Sequence, residues 1–212
     1  MTDPARLMRF VLEMRQTGIT DARILSALER TPRTHYAPEH LDGLALDDVG
    51  LPLAHGQAMT KPSVIARVVA ALDPQPNDVV LEIGTGSGFQ AAVISVLAHK
   101  VISLERWRDL AAGARANIGS ARLMRTYVHA ADGFDGWKDE APYDRIVVNA
   151  ALADLPPALI EQLKPDGVLI APLGDADAQR LIRYRNGARE DLGPIRFAPL
   201  ERGVEEGEPQ SE

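Results

Sequence analysis

The sequence predicts an α/β fold built on a doubly wound, mostly parallel sheet, and three observations carry that expectation. Short apolar runs suited to buried strands alternate with longer segments of helical period. The run Val79-Val80-Leu81-Glu82-Ile83 leads straight into three glycines at alternate positions, Gly84, Gly86 and Gly88, and then into a mostly apolar helical stretch from Phe89 to Ala98. Strand, glycine turn and helix in that order form the nucleotide-type crevice at the carboxyl end of a central parallel strand. Near the end of the chain, Asn186-Gly187 between two extended stretches predicts an antiparallel hairpin.

The elements follow in order. Leu7, Phe10, Val11 and Met14 recur at helical spacing, and Gly18 stops that first helix. Thr20 is the expected N-cap of a second helix, with Ile24, Leu25 and Leu28 as its apolar face and Pro32 beyond its end. Both are expected to pack over one edge of the sheet. His35 and His40 lie in a loop where nothing nearby completes a metal-ligand set, so no metal site is expected. From Leu51 to Pro62, two prolines and a glycine exclude a helix, and Pro62 then opens one that runs to about Leu72. Thr60 falls at about the N-cap of that helix. There it either caps the backbone or, beside unpaired N–H groups, helps to hold an anionic group.

Further strands are expected at Lys100–Glu105, at Thr126–Ala130, within Ala141–Ala151 and at Val168–Ala171. Helices are expected at Trp107–Ser120 and Leu155–Leu163. A hairpin of Gln179–Arg185 with Gly193–Leu200 completes seven strands. The division is N-terminal helices and a loop over 1–62, a core over 63–200, and a disordered acidic tail over 201–212, which is free of aromatics and rich in charge.

Composition narrows the chemistry. At 212 residues, 45% hydrophobic and 25% charged, the chain suits one soluble domain with a sizeable core. A net charge of −7 gives no global attraction to nucleic acid. The absence of cysteine excludes disulfides, thiolate catalysis and a thiolate zinc site. Met1-Thr2-Asp3-Pro4 lacks the apolar core of a secretory signal, and no apolar run approaches the ~18 residues of a membrane span. A cytoplasmic, monomeric protein that meets no membrane is the expectation.

The glycine spacing is G-x-G-x-G, whereas the dinucleotide fingerprint needs G-x-G-x-x-G. Glu82, two residues before the first glycine, would repel a pyrophosphate and suit a cationic or zwitterionic ligand. E-x-G-x-G-x-G resembles motif I of class I S-adenosylmethionine (SAM) methyltransferases. Leu51-Pro52-Leu53-Ala54-His55-Gly56-Gln57-Ala58-Met59-Thr60-Lys61-Pro62 in turn resembles the substrate loop of the protein-L-isoaspartate O-methyltransferases, usually close to L-P-I-G-x-G-Q-T-I-S-x-P. Val80 to Val93 is similar to that family's motif I and following helix, and Phe197-Ala198-Pro199-Leu200 to its terminal F-V-P-L. The resemblance extends from about Gly18 to Leu200.

It implies a Rossmann-like sheet, SAM as cofactor, and methyl transfer to the carboxylate of L-isoaspartyl residues in damaged proteins or peptides. Met59, Thr60, Pro62, Glu82, Ile83, Gly84, Gly86, Glu105, Asp132, Gly133 and Asn149 would then hold the cofactor. Glu105, which closes a strand 17 residues beyond Gly88, would accept the ribose hydroxyls, unless it is a solvated strand-end acid. Asp132-Gly133 would flank the adenine, although a plain turn reads the same way. Thr60 would position the acceptor as the catalytic residue. His55, Gln57, Ala58 and Lys61 would line the substrate side, with His55 shaping the loop and Lys61 either pairing with a substrate carboxylate or facing water.

Four positions depart from the family pattern. Thr60 stands where the family has Ser, Ala58 where it has Thr, and Asn149 where it commonly has Thr, while Leu44-Ala45-Leu46-Asp47 replaces a segment that usually carries an aromatic. These changes keep two other readings in play: a methyltransferase of the same fold acting on a different carboxylate, and a SAM-binding paralogue without activity. The glycine spacing and Glu82 disfavour an NAD-dependent enzyme.

Overall fold

The computed structural model describes residues 4–207, so the expectations for residues 1–3 and 208–212 lie outside the described residues. Pro4–Gln16 (α1) and Ala22–Arg30 (α2) pack on one another and on the sheet-covering helices that follow. The N-cap of α2 is Asp21, whose carboxylate accepts from the Arg23 N–H, so the cap falls one residue after Thr20. Two short strands, Leu51–Pro52 (β1) and Ala58–Met59 (β2), then pair as a ribbon ahead of Pro62–Leu72 (α3).

The core alternates strand and helix: Val79–Ile83 (β3), Phe89–Leu97 (α4), Lys100–Glu105 (β4), Arg108–Ser120 (α5), Thr126–Ala130 (β5), Tyr143–Val148 (β6), Pro157–Glu161 (α6) and Leu163–Leu173 (β7). Arg180–Arg185 (β8) and Ala188–Pro194 (β9) add the hairpin. The sheet order is β5-β4-β3-β6-β7-β8-β9, parallel from β5 to β7 and antiparallel beyond. Successive side chains point to opposite faces and both faces are covered, which is why these strands read as continuous apolar runs. Val80, Val101 and Val147 join the cluster under α1–α5, while Leu81, Ile102, Ile146 and Val148 join the one under α6 and its neighbouring loops. Each such side chain, fully buried, contributes roughly 1.5–3 kcal/mol.

Two expectations are corrected. The second hairpin strand is Ala188–Pro194, not Gly193–Leu200, because Asn186 (φ 50°) and Gly187 (φ 79°) form a two-residue turn that pairs Arg185 directly with Ala188. The fifth parallel strand takes in residues 164–167 as well, through a shift of register between Tyr143 and Arg145 on its neighbour. Residues 201–207 of the acidic segment run along the surface of the fold and are largely exposed. Gly203 N–H donates to Asp132, Glu205 bridges Trp107, and Glu201 and Glu205 pair with Arg106.

The central strand β3 has β4 on one side and β6 on the other, and the chain winds in opposite directions from it. This is the switch point at which a parallel sheet opens a crevice. The loops after β3, β4, β5 and β6 all meet at that edge.

Candidate active site at the carboxyl edge of the sheet

The floor of the crevice is a buried polar network. Glu82, with no exposed surface, accepts from Ser103 Oγ at 2.5 Å and from Asn149 Nδ2 at 3.2 Å. Thr85 Oγ1 lies 2.6 Å from Ser103 Oγ, and Asn149 accepts from Gln90 Nε2 and donates to the Gly84 carbonyl. No basic side chain pairs with Glu82 among the described residues. Burial therefore pushes its carboxyl up to about 7, against the pull of these hydrogen bonds. Glu82 and Ile83 lie beneath the loop, not on the surface of the cleft.

Above this floor the glycine loop passes close to β6. Gly84 has φ +90°, and a Cβ there would sit 3.2 Å from Asn149 Cβ. Glu105 is buried to 6% exposure with one carboxylate oxygen accepting from Gly86 N–H and the other from Trp107 N–H. It still lines the cleft, and a carboxylate has lone pairs to spare for further donors. Gly84, Gly86, Glu105 and Asn149 are thus brought together with Gln57, Ala58, Met59 and Thr60 around one cleft.

The acceptor-side wall is held by residues far away in sequence. Arg33, the largest fully buried side chain, donates to the carbonyls of Ala45, Val49 and Thr60. Burial lowers its guanidinium to about 10, which leaves it charged at neutral pH. Thr60 does not cap α3. Asp48 does so by accepting from both the N–H and the hydroxyl of Ser63. The Thr60 hydroxyl makes no hydrogen bond among the described residues, and Thr60 lines the cleft. Lys61, half exposed, lies 3.6 Å from Asp48, and Pro62 is buried at the first position of α3. Neither lines the cleft.

His55, at the tip of the β1–β2 turn with φ 57°, is likewise off the cleft wall. Its Nε2 is 2.6 Å from Asp109 Oδ2, and its ring stacks on Trp107 with centroids 4.0 Å apart and planes 11° from parallel. Asp132 and Gly133 lie beside the cleft. Asp132 accepts from Phe134 N–H and Gly203 N–H, while Gly133 packs so closely that a Cβ would fall 2.3 Å from Ile83 Cγ2. Among the described residues no group of three His, Asp or Glu side chains is placed to hold a metal ion.

Sequence reasoning missed several parts. Arg106 and Glu201, paired with one another, line the cleft beside Glu105, as do Gln90 and Ala198 to Leu200. The only signal for Arg106 was its place next to Glu105. Arg33 and Asp48 carried no signal at all, since their partners lie 12 to 27 and 15 residues away. Chemically, the cleft offers a free hydroxyl, three side-chain amides, the Glu105 carboxylate and the paired Arg106 and Glu201. Neither histidine nor lysine lines it, so it is equipped to orient reacting groups more than to move protons.

The sequence profile described as Protein-L-isoaspartate(D-aspartate) O-methyltransferase matches residues 6–204. The protein-L-isoaspartate O-methyltransferase of Paramagnetospirillum magneticum is 42% identical over 207 residues, covering 95% of this chain and 97% of its own. That of Paracoccus denitrificans is 43% identical over 204 residues, covering 94% of each. One solved protein-L-isoaspartate O-methyltransferase superposes with a TM-score of 0.81 over 92% of this chain and 66% of its own, at 22% identity. A Plasmodium falciparum structure described by the same activity, in complex with S-adenosyl-L-homocysteine, has a TM-score of 0.78 over 91% of this chain and 97% of its own, also at 22% identity. The two structural matches bear on the fold alone. With the profile and relatives spanning almost the whole length, the chain belongs to the protein-L-isoaspartate (D-aspartate) O-methyltransferase family.

Proposed function

We propose that this chain methylates the free α-carboxylate of L-isoaspartyl residues in damaged proteins and peptides, with SAM as the methyl donor. The observation that carries the reading is the unpartnered Thr60 hydroxyl on the same cleft as Gly84, Gly86 and Glu105. The cleft fits the cofactor chemically. Glu105 is a buried acid with spare lone pairs for a ribose diol, and the bare Gly84 backbone admits a close ligand. Gln90 and Asn149 sit where a zwitterionic amino-acid group could be held, over the buried Glu82. Asp132 and Gly133 are assigned to the adenine end.

SAM supplies a methyl group bound to a positively charged sulfur. An acceptor carboxylate is already ionised at neutral pH, since its pKa lies near 4, and no general base is required. Thr60 orients that carboxylate through its hydroxyl, Gln57 adds a side-chain amide, and Arg33 fixes Thr60 by holding its carbonyl. Aligned reactants and exclusion of water supply the rate. No described helix is long and apolar enough to cross a membrane, which is compatible with a cytoplasmic setting.

The test is methyl transfer from labelled SAM to an isoaspartyl peptide and to its aspartyl counterpart. Labelling of the first alone is expected, and equal or absent labelling of both overturns the assignment. Ala58 favours one second reading, a different carboxylate acceptor, because it removes a hydroxyl from the acceptor wall. In that case Ala58→Thr with Thr60→Ser creates isoaspartyl activity absent from the wild type.

A further inference from the structure

The tip of the acceptor loop reaches across to the cofactor wall. Between β1 and β2 the chain reverses through His55 (φ 57°) and Gly56 (φ 67°), and Gln57 N–H closes the turn by donating to the Ala54 carbonyl at 3.0 Å. Both central positions are left-handed, a conformation that glycine adopts at no steric cost. Glycine holds the second position, but the first carries an imidazole. That side chain is only 11% exposed, although Ala54 and Gly56 on either side of it are open to solvent.

The seat of the imidazole lies far along the chain, at the start of α5. The ring stacks on Trp107, and its Nε2 donates to Asp109 Oδ2 at 2.6 Å. The other Asp109 oxygen accepts from Leu110 N–H. Burial opposes the charge on Asp109, yet the hydrogen bonds from His55 and Leu110 hold its carboxyl below the usual range. Asp109 therefore meets the imidazole as a carboxylate.

Both ends of this contact lead to the cleft. Trp107 N–H donates to Glu105, which lines the cofactor side. On the loop, the His55 carbonyl accepts from Gln57 Nε2 at 3.3 Å, and Gln57 lines the acceptor side with Thr60. Arg33 anchors the far end of the same loop at the Thr60 carbonyl.

We propose that His55 is a positioning residue for the acceptor: by clasping Trp107 and Asp109 it docks the loop tip on the cofactor wall, which holds Gln57 and Thr60 in place to receive a carboxylate. This inference rests on the acceptor assigned to the cleft above. The imidazole touches no reacting atom. It sets the fraction of molecules whose acceptor wall is ready to bind. A peptide that binds only the docked loop has its apparent affinity reduced by the undocked fraction, and saturating peptide draws the loop back. Loss of the clasp should therefore raise KM for the acceptor and spare kcat.

His55→Gly removes the imidazole from a backbone that glycine suits, so the variant should fold with a melting temperature no lower than that of wild type. In methyl transfer from labelled SAM to an isoaspartyl peptide, its KM for the peptide should rise about tenfold. Its kcat, and its affinity for S-adenosylhomocysteine by calorimetry, should both stay within about twofold of wild type. His55→Gln, which returns a donor near the place of Nε2, should recover most of the KM. When His55→Gly is combined with Asp109→Ala, the double variant should have no higher KM than the worse of the two single ones. An unchanged KM in His55→Gly, a loss confined to kcat, no recovery in His55→Gln, or penalties that multiply in the double variant overturn the proposal. Wild-type protein separates the two assignments. If it does not methylate the peptide, the function assigned above fails and this inference with it. If it does, and His55→Gly matches it, this inference alone fails.

Discussion

The two walls of the cleft are built in different ways. The cofactor wall is local: β3, its glycine loop and α4 are continuous in sequence, and the floor residues Glu82, Ser103 and Asn149 come from adjacent parallel strands. The acceptor wall is a loop with a two-by-two-residue ribbon as its only strand pairing, and it is tied down by Arg33 below, Asp48 at the start of α3, and Asp109 and Trp107 at its tip. Regular secondary structure fixes the first wall, and individual side-chain contacts fix the second. Substitutions on the two sides should therefore fail differently.

The sharpest break is Arg33→Met. It leaves three buried or half-buried carbonyls without their charged donor, so a loss on the order of 3–5 kcal/mol is expected. Urea denaturation reads this directly. A protein that still folds should lose peptide turnover while retaining most of its affinity for S-adenosylhomocysteine.

Glu82→Gln probes the other wall. The wild-type carboxyl holds its proton up to about 7 in the folded chain but only to about 4.5 when unfolded. Its burial thus favours folding least once pH passes 7, a swing of about 3 kcal/mol at most. The neutral amide removes that dependence. The melting temperature of Glu82→Gln relative to wild type should climb as pH rises from about 4.5 to 7 and level off above. A difference constant across that range would show that Glu82 stays ionised.

Thr60→Val, nearly isosteric, should leave stability unchanged and reduce kcat on an isoaspartyl peptide about 10- to 100-fold, with S-adenosylhomocysteine binding intact in calorimetry. Lys61→Ala should have the smallest effect. Its long contact with Asp48 is exposed, and a change in stability beyond about 0.5 kcal/mol would be unexpected.

The same division governs what could be seen in the sequence. β3, β4 and β6 are legible because both their faces are buried, so that apolar runs stand out and the glycines and Glu105 fall at their ends. β9 is not. As an edge strand of Ala188-Arg189-Glu190-Asp191-Leu192-Gly193-Pro194 it is largely exposed and carries no alternating pattern. Asn186-Gly187 located the turn, but only its two-residue geometry fixes the strand that follows. Thr60 was placed on the site by resemblance, yet the cap of α3 came from Asp48, fifteen residues away, which no local spacing reveals. Arg33 reads as an ordinary charged residue until its partners surround it. The pairing of Glu201, Glu205 and Glu206 with Arg106 and Arg108 carries no signal in the composition, because it exists only once the sheet has brought those arginines to its edge.

The stack of His55 on Trp107 also has an optical consequence. The chain has two tryptophans, and Trp137 is stacked on His129 in the same manner. With Trp137 replaced by Phe, all the indole emission comes from a ring lying face to face with the tip of the acceptor loop. Loop undocking would strip the imidazole from that ring and expose it to solvent. The protein therefore carries a built-in fluorescent reporter of its acceptor wall, readable in real time and without a label.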